Sequence, residues 1–86
     1  MATRVRRKVL HRDDFGLCVL WPKTEWGRVP QPGAAFMADV DGTRRRLRVV
    51  SEQCTCQGPD EPHEHHYLTL PASTGLEPGR TCIIAV

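Results

Sequence analysis

Aromatic side chains, long apolar runs and helical periodicity are all scarce in this sequence. Aromatic residues make up 6% of the chain, which leaves few flat rings for stacking on a ligand. No apolar run approaches the roughly 18 residues that a membrane-spanning helix needs. The start of the chain carries no apolar stretch typical of a secretory signal. We therefore expect a cytoplasmic protein with no membrane partner.

No segment keeps apolar residues at positions i, i+3, i+4 and i+7 over several turns, so helices are not predicted. Apolar and polar residues instead alternate with the period of two that is typical of strands. Without a helix to cover a sheet, closure of the sheet is the usual way to protect its edges. We predict an all-β fold, a single small domain over 1–86 that forms a curled sheet or β-barrel. The predicted strands are 4–10, 15–21, 35–40, 44–53, 66–70 and 81–86.

Glycine and proline place the turns between these strands. Asp41-Gly42 is a type I′ hairpin signal between two alternating segments, and Pro78-Gly79 favours a type II turn. The segment 22–33 holds three prolines and two glycines. This composition argues against a helix interior or a central strand, so we predict a loop there.

The segment 15–21 has apolar residues on both sides of the predicted strand. Val19 and Trp21 lie on one side, while Cys18 and Leu20 lie on the other, which indicates a strand buried on both faces. Cys18 and Cys82 lie in apolar segments, where a thiol usually acts as a small buried hydrophobic group.

The other cysteines lie with three of the four histidines in a short stretch of the chain. Residues two apart on a strand share a face, so we expect each half of this hairpin, 49–70, to present two ligands on one side. Two thiolates and two imidazoles are a set that suits tetrahedral zinc. The predicted ligands are Cys54, Cys56, His63 and either His65 or His66.

Four ligands close the coordination shell, so the metal is expected to be structural. Copper or iron could also take sulfur and imidazole ligands. Glu64 could act as a general base beside a metal-bound water in a small metalloenzyme. We interpret Glu64 as a solvated carboxylate instead, and we predict no catalytic residues and no small-molecule substrate.

Positive charge is concentrated in the first half of the chain. Residues 1–48 hold eleven Lys or Arg against five Asp or Glu, whereas 49–86 hold one against five. Alternation places these cations on one side of two strands, and we expect a continuous basic face if those strands are neighbours. The first set is Arg4, Arg6 and Lys8, and the second is Arg44, Arg46 and Arg48.

Small β-barrels often bind single-stranded nucleic acid by combining a basic groove with stacking aromatic residues. Trp26 is the predicted stacking residue, with Tyr67 as a second candidate. We therefore interpret the chain as a zinc-stabilised binding or regulatory module whose partner is nucleic acid. The alternative is an adaptor or inhibitor that docks its arginines on an acidic protein surface, because both partners would be attracted by the same charges.

Overall fold

A computed structural model of the chain describes residues 3–54 and 63–86. The described elements are strands, apart from two short 3-10 helices at Lys23–Arg28 and Ala72–Thr74. The all-β prediction is therefore confirmed. The strands are β1 (Arg4–Arg12), β2 (Gly16–Trp21), β3 (Ala35–Val40), β4 (Thr43–Cys54), β5 (His63–Thr69) and β6 (Thr81–Ala85).

The six strands close into one antiparallel barrel in the order β1-β2-β5-β4-β3-β6. Closure decides between the two predicted forms, an open curled sheet and a barrel, in favour of the barrel. It gives each strand a neighbour on both sides over at least part of its length, which is how a small all-β protein protects its edges. The strand topology does not show the predicted structural metal site.

Both predicted turns are present. Asp41 and Gly42 have φ angles of 51° and 85°, and they join Val40 to its register partner Thr43, as a type I′ turn requires. Gly79 has a φ of 95°. Its positive φ follows Pro78, and the Arg80 N–H donates to the Glu77 carbonyl at 3.2 Å, which closes the predicted type II turn.

The centre of the core is one row of inward-facing side chains that crosses four strands. The register places Val9 beside Val19, Val19 beside Leu68, and Leu68 beside Val49, and all four are fully buried. Trp21 extends this core on β2 and is 1% exposed. Cys18, on the outer side of β2, is also fully buried. The prediction that this strand is buried on both faces is confirmed.

Two strand boundaries differ from the predicted ones by more than one residue. β1 continues to Arg12 and β5 begins at His63, three residues before its predicted start. The reason is backbone pairing: the β4–β5 ladder runs out to the pair Cys54–His63. Apolar alternation marks where a strand meets the core, but a hairpin can continue pairing beyond the core without apolar residues.

The predicted loop at 22–33 contains the first 3-10 helix. The helix is compatible with the local composition because Pro22 precedes Lys23 and because the other two prolines follow Arg28, so no proline interrupts it. The Trp21 indole N–H donates to the Glu25 carbonyl at 2.8 Å. This bond ties the helix to the end of β2.

Candidate functional site

The histidines at the start of β5 lie on two different sides of the strand. The His63 and His65 rings are 4.5 Å apart, centroid to centroid, in an edge-to-face arrangement. Cys54 is the register partner of His63, and Glu52 is the register partner of His65. The pairing of β4 with β5 therefore brings the backbone of Cys54 beside that of His63.

His66 lies on the other side of β5 and is 7% exposed. Its ring stacks on the Trp26 ring with centroids 3.6 Å apart and planes inclined by 10°. Its Nε2 lies 3.2 Å from a Glu64 carboxylate oxygen. Of the two alternatives for the fourth ligand, His65 has the position beside His63, and His66 packs against the barrel.

Glu64 accepts a hydrogen bond from the Ser51 hydroxyl. This bond, with a smaller contribution from His66, holds the pKa of the Glu64 carboxyl below its usual value. A general base works best with a pKa near the operating pH. The environment of Glu64 therefore suits a hydrogen-bond acceptor better than the base of a metalloenzyme.

The full predicted ligand set cannot be placed, because Cys56 and the side chain of Cys54 fall outside the described part of the chain. Among the residues that are described, no three His, Cys, Asp or Glu side chains come together as a metal site would require. The zinc site remains a prediction.

An open cleft of about 590 Å³ lies between the end of β2, the first 3-10 helix and the start of β5. Its charged and ring-bearing lining residues include Lys23, Trp26 and Glu64. The Lys23 ammonium lies 5.7 Å from the centre of the Trp26 ring, and the Trp26 indole N–H donates to the Trp21 carbonyl at 3.3 Å. Trp26 is thus held against the barrel by these contacts while it also lines the cleft, and its role as a stacking residue stays a prediction.

Tyr67 is 6% exposed even though it lies on the outer side of β5. Phe15 packs against its ring with centroids 5.5 Å apart, and the Arg12 guanidinium lies over it at 5.4 Å. Arg12 is in turn paired with Glu52. These contacts leave little of the Tyr67 ring accessible to a base, so its interpretation as a second stacking platform is wrong.

The two sets of cations lie on β1 and β4, and every member is exposed. In the barrel order β1 and β4 are three positions apart in either direction. They therefore lie on opposite sides of the barrel, and the single basic face that required them to be neighbours does not form. Strand alternation shows which way a side chain points, but the order of the strands depends on contacts distant in sequence.

The outer side of β3 and β4 carries a feature that the sequence interpretation missed. Met37 is 47% exposed and is the register partner of Arg46. Asp39 is the register partner of Arg44, and their charged atoms are 4.0 Å apart. The alternation of Phe36, Ala38 and Val40 toward the core could have shown that Met37 points outward. We call Met37, Asp39, Arg44, Arg46 and Arg48 the β3–β4 face.

Cys18 and Cys82 are fully buried, and burial raises the pKa of each thiol to about 11. At pH 8 a native thiol of this kind has roughly one hundredth of the thiolate of an unfolded one. We expect iodoacetamide to label both residues about 100-fold more slowly in the native protein than in denaturant, as measured by peptide mapping of the wild-type protein. Equal rates in the two conditions would contradict the buried positions.

Comparison of the chain with protein-family models, curated proteins and solved structures finds no match. No helix in the described ranges has the length and hydropathy needed to cross a membrane.

Proposed function

We propose that this chain is a small protein-interaction module whose β3–β4 face binds an acidic segment of a partner protein. The observation that carries this proposal is an exposed methionine among arginines: Met37 lies opposite Arg46 in the β3–β4 ladder. Methionine and arginine are both enriched at protein–protein interfaces relative to the rest of the surface.

The charges of this face favour an acidic partner. Within the described residues, Arg46 and Arg48 make no ion pair, and Arg44 reaches Asp39 at 4.0 Å. Their positive potential is therefore largely unneutralised by described neighbours. Complementary charge of this kind steers a partner toward the face and fixes its orientation.

Nucleic acid is the rival partner, since arginine also suits phosphate. Proteins that bind single strands usually add stacked aromatic rings to a basic groove. Here Trp26 is stacked on His66, and Tyr67 is 6% exposed. The exposed apolar group beside the arginines is Met37, which supports a protein partner over an unpaired base.

Within this proposal, zinc acts as a structural staple of the β4–β5 hairpin. Its ligands are Cys54, Cys56, His63 and His65, since His66 packs on Trp26. Chains of this length bury a limited share of their surface, so a bound metal adds stability that the core does not supply. The proposed role is binding, without a catalytic step.

The proposal predicts that peptides selected from a random display library on the purified protein are acidic and contain an apolar residue. Replacing Arg44, Arg46 and Arg48 with glutamine should weaken the binding of a selected peptide by about 3- to 150-fold, since each of the three exposed ion pairs contributes about 0.2–1 kcal/mol. Fluorescence anisotropy with a labelled peptide measures this change.

A matched control removes the same charge elsewhere. Lys23, Arg28 and Arg80 are exposed and lie outside the β3–β4 face, so their replacement with glutamine should change affinity by less than about threefold. If both triple variants lose affinity equally, only net charge matters and the proposed face is wrong. If DNA or RNA oligonucleotides bind more tightly than any selected peptide at about 50 mM salt, nucleic acid becomes the partner.

A further inference from the structure

β3 is paired unequally with its two neighbours. Its ladder with β4 runs from Ala35 to Val40, whereas its ladder with β6 covers Asp39 and Val40. One more backbone bond, from the Asp41 N–H to the Ile83 carbonyl, extends the contact with β6 toward the turn. Among the described residues, the first half of β3 therefore has a strand on one side and none on the other.

The position of β6 explains this gap. Because β3 and β6 are antiparallel and Asp39 pairs with Ala85, the residue of β3 before Asp39 lies opposite Val86, the residue that follows β6. The Val86 N–H and carbonyl are bonded to Thr3 on the opposite side. Met37 and Ala35 come still earlier in β3, where no described residue of β6 lies beside them.

The backbone groups on this edge point outward in a regular pattern. In an antiparallel strand, the N–H and carbonyl of every second residue point to the same neighbour. Asp41 directs its N–H to β6, and the Ala34 carbonyl accepts a bond from Val49 of β4. Ala35 and Met37 therefore direct their N–H and carbonyl groups toward the open side. An extended chain placed there would make up to four backbone hydrogen bonds.

We propose that a partner segment binds as an added antiparallel strand on this edge of β3, and that its sequence is apolar-apolar-acidic. The proposal rests on the protein-interaction function proposed above and states how that face takes its partner. Addition of a strand to an open edge is a known mode of peptide recognition in which backbone bonds provide affinity and side chains provide specificity.

The side chains next to the edge set the sequence of the added strand. Its first residue lies opposite Met37 and is apolar. Its second lies opposite Phe36, which packs against the core, and is apolar as well. Its third lies opposite Ala35, whose small side chain leaves room for a carboxylate to reach Arg48, the register partner of Ala35 on β4. A Val-Val-Glu segment meets these requirements.

A second copy of the chain is a poorer occupant of the same edge. Pairing β3 with β3 of another copy would place the exposed Arg46 and Arg48 of both copies on one surface. Like charges brought together in this way oppose association. An acidic segment converts the same arginines into attractive contacts.

The test uses a short labelled peptide that contains Val-Val-Glu, and the same peptide with one backbone nitrogen methylated. Methylation at the first valine removes the N–H that faces Met37 and should weaken binding by at least about tenfold. Methylation at the second valine is the control. Its N–H points away from β3, so affinity should change by less than about threefold.

Two further measurements complete the test. Peptide binding should slow hydrogen exchange at the amides of Ala35 and Met37 and leave Phe36 unchanged, because its amide already faces β4. Arg48→Gln should weaken the binding of the Val-Val-Glu peptide by about two- to fivefold and that of the Val-Val-Gln peptide by much less.

One outcome separates the two proposals. If the selected acidic peptides need Arg44, Arg46 and Arg48 for binding but do not protect the Ala35 and Met37 amides, strand addition is overturned and the proposed function stands. If the selection yields no binding peptide and the Val-Val-Glu peptide does not bind either, strand addition and the proposed function are both overturned. A dimer that forms without peptide and protects these two amides as concentration rises would assign the edge to a second copy instead.

Discussion

Leu68→Ala is expected to lower the free energy of unfolding by about 2–5 kcal/mol, the range for deleting a buried leucine side chain. Leu68 is fully buried between Val19 and Val49. Because the barrel is closed, its neighbours are held by strands on both sides and cannot collapse fully into the cavity. A domain of this size has a total stability of roughly 4–13 kcal/mol, so the variant should lose much of it.

The midpoint of urea denaturation, followed by circular dichroism, measures this loss. Ile83→Ala is the matched control, because Ile83 also lies on a strand but is 37% exposed. Its effect should stay within about 0.5–1 kcal/mol. Similar losses for the two variants would show that the inward row of Val9, Val19, Leu68 and Val49 is not the centre of the core.

Removal of zinc is expected to have an effect of similar size. If free zinc is held at about a thousand times its dissociation constant, binding to the native state adds about 4 kcal/mol. A chelator should therefore lower the thermal midpoint of the wild-type protein, and elemental analysis should find about one equivalent of zinc. A metal-free protein with an unchanged midpoint in the presence of chelator would contradict the zinc proposal.

Ligand variants then identify the site. Cys54→Ser, Cys56→Ser, His63→Gln and His65→Gln should each lose zinc and with it the response to chelator. His66→Gln should keep zinc, because His66 lies on the other side of β5 and stacks on Trp26. If His66→Gln loses the metal and His65→Gln retains it, the assignment of the fourth ligand is reversed.

The local features of this chain follow from its sequence. The type I′ turn at Asp41-Gly42 and the type II turn at Pro78-Gly79 need residues that adopt positive φ, and few residue types do so readily. The burial of Cys18 together with Val19 follows from apolar residues on both sides of one strand. These features depend on neighbours a few residues away, so a single sequence is enough to predict them.

The same reasoning covers part of the candidate site. Alternation correctly predicted that Arg44, Arg46 and Arg48 are exposed, and it also implied that Met37 points outward. It did not reveal the ring packing of Trp26 and Tyr67, since their ring partners, His66 and Phe15, are distant in sequence. A ring's accessibility is a property of the packed barrel and cannot be deduced from strand periodicity.

The order of the strands was decided by the tertiary structure. The alternation of apolar and polar residues shows which side of a strand faces the core, but it does not show which strand lies beside it. Closure placed β1 and β4 on opposite sides of the barrel, which separated the two sets of cations. It also left Ala35 and Met37 without a β6 partner among the described residues. Pairing between distant segments is chosen by the packing of the whole core, and for that reason it had to be seen in the structure.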